Sequence, residues 1–214
     1  MDRAELKEEA KKKIKDNKWY IWKPYVFFGL IVFLISFVIF LPLALLVDES
    51  VVNVVSTILS CIASLVGTVF AVGYSKYCLD FVRGKKQDWK ACFDFIKKHF
   101  GTVILLSILI GLIILGGMLL LIVPGIIFAI GHSLYQEVYA DNPELSATEA
   151  VKKSWNLTKG YKKDIFVLYL SFIGWQLLAV LTLGILYIWL TPYMTVTQLL
   201  FYEELVKKEK TKKN

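Results

Sequence analysis

The stretch "FGTVILLSILIGLIILGGMLLLIVPGIIFAIGHSLYQEVYA", Phe100 to Ala140, decides the fold. It carries a single carboxylate, Glu137, and no lysine or arginine. A bilayer's hydrocarbon core of roughly 30 Å is crossed by about 20 helical residues at 1.5 Å each. The stretch is too long for one crossing and right for two with a tight turn. "GGMLLLIVPG" at 116–125 supplies that turn, and Pro124 suits the first turn of a returning helix. A re-entrant hairpin is the alternative for this block.

Lysines and arginines give the parity of the crossings. Eight lie in 1–23, six in 82–99, five in 141–164 and five in 204–214; Lys76 alone falls inside an apolar block. Cytoplasmic segments are enriched in these residues. If each basic segment is cytoplasmic, the blocks at about 24–81, 100–140 and 165–203 each cross and come back. The expectation is an all-α membrane protein with six transmembrane helices in three hairpins and both termini cytoplasmic. The spans fall at about 24–47, 51–79, 100–120, 123–141, 165–182 and 185–203. "VDES" and Leu183-Gly184 make the outer turns of the first and third hairpins. Residues 1–23 and 204–214 form basic cytoplasmic ends.

Composition agrees. Hydrophobic residues make up 57% of the 214 and charged ones 20%, against about 45–50% and 25% in soluble domains. Polar residues precede the first apolar run at a length that does not fit a cleavable leader, so the first span is expected to stay. Trp19, Tyr20, Trp22, Phe201 and Tyr202 sit where interfacial rings belong. The net charge of +7 suits anionic lipid headgroups at the cytoplasmic face and comes without any nucleic-acid motif.

Helical spacing then assigns faces. Asn53, Thr57, Ser60, Ser64, Gly67, Ala71, Ser75 and Cys78 share a stripe about 80° wide, which in lipid is the face that packs helix on helix. That places the second span at the bundle's centre. Gly125, Ala129, His132 and Gln136 lie on one inward face of the fourth span. His132 is expected to be buried and hydrogen-bonded to the Ser/Thr face of the second span, with Glu137 nearer the cytoplasmic boundary. Polar groups inside spans are candidate functional positions: His132, Gln136, Glu137, Asn53, Ser60, Ser64 and, in the third block, Gln176.

Between the second and third blocks, Ser146 and Glu149 form a capping-box pattern and Gly160 ends the helix that follows, about 146–159. Ala147, Ala150, Val151 and Trp155 make its apolar face. It lies either on the membrane surface through Lys152, Lys153 and Trp155 or against the bundle's own inner end. The helix at Leu6, Ala10 and Ile14 has too narrow an apolar stripe to anchor alone. Lys76 and Asp80, four apart, read as a local ion pair.

Catalytic patterns are missing. There is no phosphate-binding glycine loop, no HExxH, no Ser-His-Asp set and no paired intramembrane carboxylates. Cys61, Cys78 and Cys92 have neither disulfide nor metal-ligand spacing and read as reduced thiols. The expectation is a non-enzymatic protein with no cofactor and no metal.

Several stretches together carry a family resemblance: "ELKEEAKK", "GYSKYCLDFVRGK", "LLLIVPGI", and, from Tyr139 on, "YADNPELSATEAVKKSWNLTKGYKK" with "SFIGWQLL", "LTLGI", "WLTPY" and "FYEEL". The chain resembles, over nearly its whole length, integral membrane proteins, mostly of Gram-positive bacteria, catalogued as domain of unknown function 975. The "PGI…E…P…EAVKKS" order is also similar to the membrane part of glycerophosphodiester phosphodiesterases, without their catalytic domain. The resemblance implies a bacterial plasma-membrane protein. Small membrane proteins of this general look accompany bacteriocin genes, which makes immunity to a membrane-active peptide, or its export, the leading expectation. A lipid-handling role or a role as accessory to an ABC transporter comes second, and an intramembrane enzyme last.

Overall fold

The computed structural model describes residues 3–46, 48–120 and 122–213; all regular structure among them is helical. The first hairpin pairs α2 (Lys18–Leu46) with α3 (Glu49–Val82). Phe28 stacks on Phe70 at 3.9 Å, and Tyr20 stacks on Tyr77 at 4.8 Å, so the two helices run antiparallel. The Tyr74 and Tyr77 hydroxyls donate to the carbonyls of Ile21 and Tyr20. α4 (Ala91–Leu120) runs back along α3, and α5 (Ile122–Gly131) folds against α4 at the expected turn. There a Cβ on Gly117 would lie 3.1 Å from Gly125 Cα, so the two backbones nearly touch.

The returning limb is interrupted. α5 stops at Gly131, residues 132–134 form turns, and α6 (Tyr135–Asp141) follows. α7 (Ala147–Thr158) begins with the capping box of Ser146 and Glu149, both bonds being present, and Gly160 closes it at φ +89°. α8 (Lys162–Leu170) and α9 (Ile173–Leu181) are likewise separated by a short break, and α10 (Tyr187–Lys213) ends the described chain. Leu183 and Gly184, both at positive φ, turn α9 into α10.

Four stretches are long and apolar enough to cross a membrane: Lys18–Leu43, Glu49–Val82, Ala91–Leu119 and Lys162–Leu181. Their apolar side chains are largely outside the protein's own core. In α2 none of the most apolar window is buried, and Leu30, Phe33, Phe37 and Val38 are all exposed. Outward-facing leucine and phenylalanine on this scale fit an acyl-chain surround.

The core sits at the basic end. α3 is exposed or half-buried from Glu49 to Thr68, and nearly every residue from Val69 to Phe81 is buried against α4, α6 and α10. This corrects the expected centre of packing. Asn53, Thr57, Ser60 and Ser64 are exposed rather than held between helices. The physical reason is self-satisfaction: beyond the basic half the neighbouring helices leave this face uncovered. In the outer half the hydroxyls bond one turn back, Thr57 to Asn53 O and Ser60 to Ser56 O, and need no partner helix.

The amphipathic N-terminal helix is also covered by protein. α1 (Arg3–Asp16) lies along α10 with Leu6, Ala10 and Ile14 buried. Lys7 Nζ donates to Ser171 O at 3.2 Å, capping a carbonyl at the α8–α9 break, and stands 4.2 Å from the centre of the Phe172 ring.

Candidate functional site

The break between α5 and α6 is where the interior is most polar. Interrupting a helix frees backbone carbonyls, which must find donors elsewhere. Two side chains supply them from distant helices. Thr158 Oγ1 of α7 donates to Gly131 O at 2.8 Å, and Gln198 Nε2 of α10 donates to Ser133 O at 3.1 Å. The break is therefore built in three dimensions, by residues 27 and 65 positions away.

Glu137 lies just beyond it. Only 2% of the residue is accessible, its Oε2 has no hydrogen-bond partner, and the nearby Ser133 Oγ is also buried without one. Tyr135 and Tyr169 are within electrostatic range. Glu137, expected nearer the cytoplasmic boundary, lies in α6 towards the basic end, where α6 packs on α3 and α7 and its glutamate is buried.

His132 is buried as expected, at 6% accessibility, but its bond is local. Nδ1 lies 2.8 Å from Phe128 O in its own helix, so the expected bond to α3 is not formed. The ring joins a three-membered aromatic cluster with Phe128 and Trp155, which stack on each other at 5.6 Å, and the Trp155 centroid is 5.0 Å away. Ser133 Oγ makes no bond to this imidazole, so the adjacent serine and histidine do not form a nucleophile–base pair. Gln136 bonds the neighbouring Tyr135 hydroxyl, while Gln176 reaches Met194 Sδ on α10. His132, Gln136 and Glu137 are thereby brought together, whereas Asn53, Ser60, Ser64 and Gln176 stand apart from them.

Trp155 resolves the two placements left open for α7. Its ring lies so close to Gly131 that a Cβ there would collide with it, and Lys162 Nζ sits 3.2 Å above it. α7 is docked on the bundle, and Trp155 is not a free surface anchor. Lys153 donates to Asn142 Oδ1 at 2.7 Å, and Lys152 remains exposed. His132 packs its ring against Trp155. His132→Phe, which keeps a ring there, should stay within about 0.5 kcal/mol of wild type. His132→Ala, which empties the space, should cost about 2 kcal/mol. Thermal melting in detergent checks this; a phenylalanine variant weaker than the alanine one would mean that the imidazole nitrogen matters more than the ring.

A second cluster closes the basic end. Arg83 after α3 pairs with Asp141 at the end of α6 and with Glu203 of α10, and the Tyr202 hydroxyl donates to Asp141 at 2.9 Å. Lys76 and Asp80 form the expected pair at 3.1 Å, and Gln87 donates to the other oxygen of Asp80. His99 forms the kink in α4 (φ −114°, ψ 16°), with Tyr139 Oη 3.4 Å from its Nδ1. Burial and the neighbouring Lys98 hold its imidazole below the usual histidine range. Sequence reasoning missed Arg83, Gln198 and His99, because what defines each is a partner far along the chain.

These features define an all-helical protein with four helices apolar enough to span a membrane and a polar interior at a broken helix. The model of the family described as protein of unknown function (DUF975) matches residues 1–136 and 113–209, and the chain belongs to that family. No curated protein and no solved structure matches it.

Proposed function

We propose that this chain is a non-enzymatic bacterial plasma-membrane protein that receives a membrane-active peptide within the bilayer, protecting the cell from it or assisting its export. The observation that carries this reading is the uncovered outer half of the first hairpin. Along α2 from Leu30 and along α3 up to Val66, apolar side chains are exposed on all sides, although the same helices are tightly packed at their basic end. Such a hairpin offers an apolar helical partner two long faces, one of them lined by Asn53, Ser60 and Ser64, which permit close backbone approach. Six spans in three hairpins with both termini cytoplasmic accommodate it, with α5 and α6 as one returning limb and the first half of α10 as the last.

Topology is tested by single cysteines. Those replacing Glu49 and Leu183 should react with a charged maleimide from outside, and those replacing Lys86, Lys159 and Lys208 only after permeabilisation. The native thiols give little background: Cys78 and Cys92 are buried, burial pushes the Cys92 thiol up to about 12, and Cys61 lies within an apolar span. External labelling at Lys159 would break the three-hairpin arrangement. Function is tested by expressing the chain alone in a sensitive Gram-positive host. Protection against one peptide of a panel is the expected result; no protection, with an ATPase co-purifying in stoichiometric amount, would reverse the ranking.

The second reading, a transport-accessory or lipid-handling protein, is favoured by Glu137. Broken helices with buried carboxylates are where transporters hold ions and substrates. On that reading Glu137→Gln folds normally and abolishes function; on the first it folds and still protects.

A further inference from the structure

Between α3 and α4 lies a narrow apolar groove of about 210 Å³, with Phe28 of α2 at one side. Val69 and Phe70 form its buried floor, and Leu65, Val66 and Phe100 form rims exposed by 45% or more. Ile96, packed over Gly73, closes it towards the core. The lining is entirely hydrocarbon and aromatic, so the groove recognises nothing polar. It is also smaller than the roughly 300–1,000 Å³ usual for compact ligands, which favours a segment of flexible chain.

Charge stands at the basic end of the same groove. Phe93 at its edge meets Phe27, whose ring is 4.7 Å from Trp89, and Lys23 Nζ lies 5.3 Å from the centre of that indole. Lys97 is exposed one turn after Phe93, beside the slot and before the kink at His99. Residues 85–98 hold five lysines against two aspartates, Asp88 and Asp94. Along one line the surface therefore passes from cationic, through an indole of the kind found at membrane interfaces, to an apolar slot open to the side.

We infer that this is a binding site for one anionic phospholipid. An acyl chain occupies the slot between α3 and α4, the headgroup lies at Trp89, and Lys23 and Lys97 supply the positive charge that favours an anionic one. The inference rests on insertion of α2, α3 and α4 into a membrane; it shares only the rim residues Leu65 and Val66 with the uncovered faces of the first hairpin, and its floor at Val69 and Phe70 lies in the packed half.

The test uses the full-length chain purified in detergent, titrated with phosphatidylglycerol or with phosphatidylcholine of identical chains, and read by native mass spectrometry. One phosphatidylglycerol should be retained in preference to phosphatidylcholine. Lys23→Ala and Lys97→Ala should each weaken that preference about fivefold, leaving phosphatidylcholine unaffected. Val66→Trp, a rim substitution that fills the slot without entering the core, should remove the retained lipid of both kinds while the melting temperature stays put. A photoreactive residue at Phe100 should attach to phosphatidylglycerol far more than one at Phe33, which faces bulk lipid. Equal retention in wild type and Val66→Trp together with equal attachment at Phe100 and Phe33 would overturn the site, as would a lipid preference that survives loss of both lysines. Failure of insertion itself would be visible separately, as protein that leaves membranes in alkaline carbonate without detergent.

Discussion

Gly73→Leu should cost about 3 kcal/mol or more, the upper range for forcing bulk into a well-packed interior, and Gly67→Leu, six residues earlier on the same helix, almost nothing. At Gly73 a Cβ would lie 2.5 Å from Ile96 Cγ1 and 2.8 Å from the carbonyl oxygen of Cys92. The isoleucine could rotate away, but the carbonyl belongs to the backbone of α4 and can retreat only if the whole helix moves. That helix also carries His99 and, through it, the contact to Tyr139 in α6. At Gly67 nothing lies within 4 Å of the same position. Melting of both variants in detergent checks the contrast. Similar losses at the two sites would mean that the outer half of α3 is packed as closely as the inner half.

Arg83→Met should be the most damaging substitution of a charged residue, at about 2–3 kcal/mol. It leaves Asp141 and Glu203 facing one another without their shared cation, and breaking a fully buried pair in this way costs about 3–5 kcal/mol. Arg83 is 30% accessible at its side chain and its partners are 18% and 19% accessible, so solvent softens the loss. The effect is specific to the pairing. In a chain that already carries Asp141→Asn and Glu203→Gln, the same Arg83→Met change should cost less than half as much. An equal cost in both backgrounds would assign the effect to the arginine's aliphatic stem instead of its charge.

What the sequence revealed, and what it withheld, follows from the range of each interaction. The Ser146–Glu149 capping box, the Gly160 stop, the Lys76–Asp80 pair and the turn at 116–125 involve neighbours within a few residues, and each was legible. The inward face of His132 was legible too, because helical periodicity is local. Its partner was not: whether an imidazole bonds across to α3 or back to Phe128 depends on which helix stands opposite. The same holds for Asn53, Ser60 and Ser64, where the small-residue stripe was real but covering it required a neighbouring helix on that side of α3. Glu137 illustrates the limit most sharply. Its burial follows from the interruption at 132–134, which depends on donors from Thr158 and Gln198 that no spacing rule connects to it.

The pairing of α1 with α10 sets the order in which the chain completes itself. α1 is covered by α10, which is made much later, and Lys7 reaches a carbonyl 164 residues ahead. During synthesis Leu6, Ala10 and Ile14 therefore keep their apolar edge bare until α10 has been made. Contacts of such long sequence separation form late. Closure over α1 thus waits for α10, and a chain stopped short of α10 leaves Leu6, Ala10 and Ile14 uncovered.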